Sequence, residues 1–280
     1  MSALRRAFTR SNLGQIPTYA ALSIVAVVNL FAFYWAVLTA FKESADILTV
    51  PPVLFTANLT LANFQSLFVE SRFDLAFLNS LIQVSLGVPG ILFFGSMGGF
   101  IFAKFRFRGK ELLFKGLLAT MIVPFVVMMI PMVLLSGQLH LINNIPALVV
   151  PFLVSPYAIY MMRQFIETIP NDLLDAARID GASNWQVYRR VILPLSGSAL
   201  STLGIFFFLW HWNSFLWPYL VLYEPTTWTL PIAAAKYTTQ FYTEYGSSLA
   251  AAVLMTAPLA LIFIIFQRGI VKGIALTGMK

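Results

Sequence analysis

The sequence predicts an all-α integral membrane protein with six transmembrane helices. Two observations carry this prediction: the composition of the chain and the position of its charges. Hydrophobic residues make up 59% of the 280 residues and charged residues only 10%, with a mean hydropathy of +0.81. This composition excludes a soluble globular domain. Every charged residue lies outside five long windows, which cover residues 11–41, 75–103, 116–162, 191–223 and 245–267.

Each uncharged window can hold at least one transmembrane helix, because a helix needs about 20 apolar residues to cross roughly 30 Å of hydrocarbon. The window 116–162 is long enough for two, and the polar stretch 136–146 in its middle predicts a turn. Residues 1–280 are therefore expected to form a single transmembrane domain. The predicted spans are residues 19–41, 78–102, 116–135, 146–162, 198–221 and 247–267.

The orientation follows from the basic residues. Fifteen of the 18 Lys and Arg residues lie in the N-terminus, the second loop, the fourth loop and the C-terminus. The other side of the membrane holds only Lys42, Arg72 and Lys236. The positive-inside rule then predicts that both termini and the loop 163–194 are cytoplasmic. The net charge of +7 is explained by this topology, so no nucleic-acid partner is expected.

The loop 163–194 lies between the predicted fourth and fifth spans, and its sequence predicts two short helices. The first is expected over residues 170–180, with Gly181 in the left-handed conformation that ends a helix. Ser183 and Gln186 have the spacing of a capping box, which predicts that a second helix starts there and runs to Pro194. A polar projection of this kind on a membrane protein indicates a contact surface for a soluble partner.

Ala176 and Ala177 lie in the first of these helices. Their small side chains predict a flat patch that another surface can approach closely.

The sequence contains no recognisable catalytic motif. The Gly109-Lys110 pair is followed by Glu111, where a phosphate-binding loop needs Ser or Thr, so the chain is not expected to bind ATP. There is no cysteine, and His140 and His211 are not part of a zinc-binding pattern. No charged residue lies within a span, whereas ion-driven carriers usually keep one there. The sequence predicts a protein that is no enzyme, has no cofactor of its own, and takes its energy from elsewhere.

Two features within the spans attract attention. Gly95, Gly99 and Ala103 recur every four residues, which predicts close packing against another helix. A candidate translocation path is formed by three residues near the middle of the predicted fifth span, His211, Trp212 and Asn213. Amide and aromatic groups there suit a hydroxyl-rich solute, but interhelical hydrogen bonds are the favoured explanation.

The motif Asp175-Ala176-Ala177, three residues, Gly181, nine residues, then Val191-x-Leu193-Pro194 resembles a known signature. It is similar to the E-A-A-x3-G-x9-I-x-L-P pattern of permease subunits in ATP-binding-cassette importers. Asp replaces the usual Glu at position 175, and Val replaces the usual Ile at position 191.

The resemblance extends over essentially the whole chain. Five further segments look like carbohydrate-importer permeases of the maltose-transporter type, and in particular like the shorter, six-helix subunit: residues 58–64, 79–81, 212–218, 228–231 and 267–273.

The resemblance implies a type I importer fold and a multi-pass location in a bacterial or archaeal cytoplasmic membrane. It also implies three partners besides the lipid bilayer: a second, non-identical permease, a dimer of ATPase subunits that binds ATP and Mg, and an extracytoplasmic substrate-binding protein. In that family, the loop between the last two helices, here residues 223–246, faces the binding protein.

The site that the resemblance implies is the loop 163–194, seated in a cleft of the ATPase. The residues that the resemblance assigns to coupling with the ATPase are Asp175, Ala176, Ala177, Arg178, Asp180, Gly181, Leu193 and Pro194. The expected cargo is a sugar or oligosaccharide, moved by alternating access. Two alternatives remain open: the same importer type for glycerol phosphate or a polyol, and a carrier that acts alone.

Overall fold

The computed structural model describes residues 2–56, 58–238 and 243–277, and within these the side chains from residue 15 to residue 264. All regular structure in these ranges is helical, apart from two isolated β-bridges, Lys42 with Leu59 and Thr238 with Thr243. The all-α prediction is therefore confirmed. The basic residues predicted at the two termini and the segment 267–273 lie outside the described side chains.

The helices follow one another along the whole described chain. They are α1 Ser2–Ala40, α2 Ser44–Ile47, α3 Ala62–Ser71, α4 Phe73–Lys104, α5 Lys110–Thr120, α6 Phe125–Gln138, α7 Pro146–Val149, α8 Pro156–Glu167, α9 Asn171–Ile179, α10 Asn184–Val187, α11 Leu193–Leu195, α12 Gly197–Trp212, α13 Leu216–Val221, α14 Leu230–Ala235 and α15 Tyr245–Thr277. A 3-10 turn, Val150–Phe152, follows α7, and a π-helical segment, Tyr188–Ile192, joins α10 to α11.

Three helical segments are long and apolar enough to cross a membrane. They are Gln15–Ala40 within α1, the whole of α4, and Tyr245–Ile264 within α15. Three further pairs of consecutive helical segments are long and apolar enough to cross a membrane only when the two segments of each pair are taken together, and each pair is bent. The bend is 95° between α5 and α6, 45° between Pro146–Phe152 and α8, and 76° between Asn184–Leu195 and α12. The described chain therefore has three such spans, or up to six if each bent pair counts as one.

The expectation of one continuous helix per span holds for α1, α4 and α15 and is corrected elsewhere. The predicted spans 116–135, 146–162 and 198–221 each contain a break, after Thr120, Phe152 and Trp212 respectively. At the first break the extended residue Pro124 precedes α6.

At the second break Pro156 occupies the first turn of α8, and Ser155 caps that helix by accepting a hydrogen bond from the Ala158 amide. Proline lacks an N–H group and is best tolerated at a helix start. Pro124 and Pro156 therefore lie at helix starts rather than bending continuous helices.

The chain divides into two compact units. The first comprises Met1–Glu70 and Tyr237–Leu254. In this unit Lys42, which the sequence places in a loop between spans, is fully buried. Its Nζ donates to the Val53 carbonyl at 2.6 Å and lies 4.4 Å from the centre of the Trp35 ring. These contacts replace the hydration that a buried ammonium group loses.

The second unit comprises Ser71–Lys236 and Met255–Lys280 and contains the predicted site. Its main hydrophobic core joins α4 and α8 to the loop 163–194, since Leu174, Tyr188 and Ile192 belong to the same buried cluster as Ile91 and Met162. One face of the loop 163–194 is therefore buried in this core.

The predicted small-residue stripe packs α4 on α8. A Cβ added at Gly95 would lie 2.6 Å from the Cβ of Ala158, so only glycine permits this approach. Close packing of this stripe is confirmed.

Candidate functional site

Helix α9 has one face in the core and one face exposed. Leu174 is buried and anchors the helix, and Ala177 packs against the same core. On the outer face Leu173 is 46% exposed and Ile179 is 86% exposed, with Ala176 between them. The predicted flat patch is corrected in one respect: Ala177 points inward, because neighbouring residues of a helix lie about 100° apart. The exposed apolar face of α9 is Leu173, Ala176 and Ile179.

Gly181 ends α9 as predicted, with a φ of +83°. The amide of Gly181 donates to the Arg178 carbonyl at 3.0 Å, and the amide of Ala182 donates to the Ala177 carbonyl at 2.9 Å. This pair of bonds is a Schellman motif, which satisfies carbonyls that the helix end would leave unpaired. A Cβ added at Gly181 would meet nothing within 4 Å, so its requirement for glycine is conformational rather than steric.

The predicted capping box is confirmed at the start of α10. The backbone amide of Gln186 donates to Ser183 Oγ at 3.3 Å, and the backbone amide of Ser183 donates to Gln186 Oε1 at 2.7 Å. The helical run continues to Leu195, slightly beyond the expected end at Pro194. Pro194 has no backbone N–H group to donate to the carbonyl four residues earlier. The widened π-helical segment Tyr188–Ile192 just before it accommodates the proline.

The remaining motif residues are polar and solvent-facing, or lie at the end of the run. Asp175 Oδ1 and Arg178 Nη1 form an ion pair at 3.3 Å with both side chains substantially exposed. Such a pair contributes only about 0.2–0.5 kcal/mol to the helix. Asp180 is the C-cap of α9 and is exposed. Leu193 packs against the core, and Pro194 is exposed.

The three polar residues predicted in the fifth span have different environments. His211 is only 2% exposed, and its Nδ1 lies 3.3 Å from the amide nitrogen of Gln83 on α4. Its Nε2 has no hydrogen-bond partner among the described side chains. Asn213 is the C-cap of α12, is exposed, and donates to the Leu209 carbonyl at 2.8 Å.

Trp212 is enclosed by packing. Its indole N–H donates to the Met255 carbonyl at 3.0 Å, and its ring stacks on Phe208 with the centroids 5.5 Å apart. The edge of the Phe77 ring meets it from another side, at a centroid distance of 6.0 Å. Trp212 therefore joins α12 to neighbouring helices.

A cavity of about 420 Å³ lies beside these residues, next to the breaks that precede α6 and α8. Its walls include the aromatic side chains of Phe125, Phe152, Tyr157, Phe206 and Trp210. His211, Trp212 and Asn213 are not among the lining residues. The sequence carries no local signal for this aromatic wall, because its members come from several separate segments.

Comparison with known proteins supports the relationship that the motif suggested. Residues 92–276 match the family described as "Binding-protein-dependent transport system inner membrane component". An arabinooligosaccharides transport system permease protein, AraQ of Halalkalibacterium halodurans, is 31% identical over 92% of this chain and 94% of its own. The lactose transport system permease protein LacG of Rhizobium radiobacter is 31% identical over 98% of this chain and 97% of its own.

Two further matches extend the comparison. The sn-glycerol-3-phosphate transport system permease protein UgpE of Salmonella typhi is 29% identical over 92% of this chain and 94% of its own. A crystal structure of a bacterial ABC transporter that imports the acidic polysaccharide alginate superposes with a TM-score of 0.81. It covers 92% of this chain and 96% of the matched chain at 21% identity, which shows a shared fold.

Proposed function

The chain belongs to the family of binding-protein-dependent transport system inner membrane components, and on that basis we propose that it is the sugar-translocating permease subunit of an ATP-driven importer. The cargo is a sugar or an oligosaccharide, as in the arabinooligosaccharide and lactose permeases to which the chain is similar. Transport proceeds by alternating access between two states of the helix bundle.

The observation that carries this proposal is the exposed apolar face of α9. Leu173, Ala176 and Ile179 present apolar surface on a polar loop, at a helix whose other face is fixed in the core. Exposed apolar patches that are bordered by polar groups mark protein–protein contacts. We assign this face as the contact for the ATPase subunit, with Asp175, Arg178 and Asp180 as its polar border.

The complete transporter then has four kinds of component. This chain pairs with a second, non-identical permease. A dimer of ATPase subunits, which binds ATP and Mg, contacts the loop 163–194 of this chain and the corresponding loop of the second permease. An extracytoplasmic binding protein delivers the cargo. The complex resides in a bacterial or archaeal cytoplasmic membrane, with both termini of this chain and the loop 163–194 in the cytoplasm.

For the translocation path we propose the aromatic cavity at the helix breaks. Trp210 and Phe152 stand in its wall, and His211 lies behind Phe152 with their ring centres 5.9 Å apart. Asn213 lies at the break after α12, three residues after Trp210, and its side-chain amide is exposed. Trp212 supports the same helix from another face through its bond to Met255. Aromatic faces suit the apolar sides of sugar rings.

The decisive experiment changes the exposed face of α9 without disturbing its core side. Ala176→Asp places a charge in the middle of that face, and Asn184→Asp is a matched control that adds the same charge at an exposed position of α10. We expect Ala176→Asp to abolish co-purification of the ATPase and uptake of radiolabelled lactose or arabinooligosaccharides by cells. Asn184→Asp should retain both. If Ala176→Asp complexes assemble and transport at the wild-type rate, the assignment of α9 is wrong.

Glycerol phosphate is the second candidate cargo, because the related UgpE protein transports it. Recognition of a phosphate ester calls for basic groups. The cavity is lined by uncharged residues, which favours a neutral sugar. Competition of labelled sugar uptake by sn-glycerol 3-phosphate, with glucose 6-phosphate as a control anion, decides between the two cargoes.

A carrier that acts alone is the third alternative. No charged residue occurs in any of the five apolar windows, which argues against an ion-driven mechanism. Uptake by the complete reconstituted complex should depend on ATP and persist when ionophores collapse ion gradients. Uptake driven by a proton gradient in liposomes containing this chain alone would contradict the importer proposal.

A further inference from the structure

Helix α4 carries three residues, Ser96, Phe100 and Lys104, that contact the loop 163–194 or pack within the core it shares. They are spaced by four residues, so they lie on neighbouring positions of one face of the helix. Ser96 and Phe100 are buried, and Lys104 is the last residue of α4. We call this set the transmission face of α4.

At the entrance to the loop, Lys104 holds the residues that precede and begin α9. Its Nζ donates to the Ile169 carbonyl at 2.5 Å and to the Asn171 side-chain oxygen at 3.0 Å. Ile169 is itself buried in the core. Hydrogen bonds from a charged donor are stronger than those between neutral groups, so this contact fixes the root of α9 to the end of α4.

At the exit from the loop, Tyr188 is held by Ser96 and Phe100. The two hydroxyl oxygens of Tyr188 and Ser96 are 2.8 Å apart, in a buried environment. Ser96 Oγ also lies 2.6 Å from the Leu92 carbonyl, to which it donates its single hydrogen, so the Tyr188 hydroxyl is the donor to Ser96. The ring of Tyr188 stacks on Phe100 with centroids 5.8 Å apart.

Helix α8, which leads into the same loop, also packs against α4. Because Gly95 and Gly99 bring the two helices into close contact, sliding of α4 against α8 is sterically opposed. A displacement of the loop is therefore transferred to α4 from three directions: through Lys104, through Tyr188 and through α8.

Helix α4 is suited to carry such a displacement into the membrane. It is continuous over 32 residues, whereas α12, the other route from the loop, is separated from it by a 76° bend. Gln83 on α4 lies 21 residues before Lys104, about 30 Å along the helix. Gln83 contacts His211, so α4 also reaches α12, the helix that borders the cavity.

We propose that Ser96, Phe100 and Lys104 of α4 are positioning residues for energy coupling. They form a two-point clamp on Tyr188 and on the root of α9, and this clamp makes α4 move with the loop when the ATPase acts. This inference rests on the proposed role of α9 as the ATPase contact. It adds that α4, and not the bent segment before α12, receives the motion.

The test compares amide hydrogen exchange in the assembled transporter, with its ATPase subunits, in the nucleotide-free state and after addition of ATP and vanadate. The clamp variant is Tyr188→Phe with Lys104→Met, which removes both donors and keeps the packing. The matched control is Tyr219→Phe with Lys115→Met, the same substitutions at exposed positions. Lys104→Arg with native Tyr188 retains a cationic donor and serves as the rescue variant.

The expected result has two parts. In the wild-type, control and rescue proteins, ATP and vanadate should change exchange rates several-fold both in residues 171–179 of α9 and in the half-helix 92–104 of α4. In the clamp variant the change in α9 should persist, while the change in α4 is lost and the ratio of ATP hydrolysed to sugar transported rises.

Three results would contradict the inference. The same α4 response in the clamp variant and the wild type would show that these bonds do not transmit the motion. A response in α9 with none in wild-type α4 would show that another helix receives it. Absence of any α9 response in the wild type would instead overturn the proposed ATPase contact, and the clamp with it.

Discussion

Gly99 of α4 and Met162 of α8 face each other so closely that a Cβ on Gly99 would lie 2.6 Å from the Cβ of Met162 and 2.8 Å from the amide nitrogen of Arg163. Real side chains do not occupy such a position without displacing the neighbouring backbone. The two helices therefore meet with almost no side chain between them, and this contact continues at Gly95.

The first prediction concerns this contact. Gly99→Ala should force α4 and α8 apart and destabilise the protein by about 1–3 kcal/mol, a typical cost of overpacking. Thermal unfolding of the purified complex in detergent measures the effect. Gly116→Ala is the control, because Gly116 lies within α5 and a Cβ there meets nothing within 4 Å. That variant should be neutral or gain about 0.5–1 kcal/mol from the better helix propensity of alanine.

The second prediction concerns Gly181, where the space is open but φ is positive. Gly181→Ala should cost about 1–2 kcal/mol locally, and Gly181→Val more, because β-branched residues avoid the left-handed region. Gly181→Asn should be tolerated best, since asparagine adopts this conformation most readily. The order Asn, Ala, Val should appear in ATPase co-purification, while the yield of membrane-inserted protein stays near that of the wild type. Equal binding by all three variants would argue against a role for the Schellman turn.

The third prediction separates structural support from transport at His211. Gln83→Leu alone leaves the buried imidazole without its partner and should lower stability by about 0.6–2 kcal/mol. The double variant Gln83→Leu with His211→Leu removes both polar groups and should recover most of that loss. Transport by the double variant then decides the role of the pair. Normal uptake indicates interhelical support, and lost uptake in a stable protein places His211 in the path.

The fourth prediction tests the topology, and the absence of native cysteine makes it direct. Single cysteines at Asn58 and Thr226, both exposed, should react with a membrane-impermeant maleimide in intact spheroplasts. A cysteine at Asn184 in α10 should react only after permeabilisation. Labelling of Asn184→Cys from outside would contradict the six-span arrangement with cytoplasmic termini.

The local structure of the loop 163–194 was predictable because it is encoded by residues close in sequence. The left-handed Gly181 and the capping box of Ser183 with Gln186 each involve bonds across three to five positions, so spacing alone identified them. The exposed Leu173 and Ile179 were missed, although their spacing around Ala176 on a helix was visible. Two adjacent alanines do not by themselves indicate which of them faces outward.

Other features depend on contacts between distant segments and had no local signal. Proline predicts a disturbance in a membrane helix, but whether the helix bends or stops depends on what satisfies the freed backbone groups. At Ser155 it stops, because the side chain caps the next helix. Likewise, nothing near Lys104 in the sequence indicates that its ammonium group binds to residues 169 and 171.

Helix α1 has a consequence for how the protein is made. None of the residues in the most apolar stretch of Gln15–Ala40 is buried by the rest of the chain. The partition of this stretch into the bilayer therefore rests mainly on its own apolar surface. The segment can leave the translocation machinery and settle in the lipid while the ribosome is still far from α8. The segment Gln15–Ala40 can therefore enter the membrane before the helices that surround the cavity have formed.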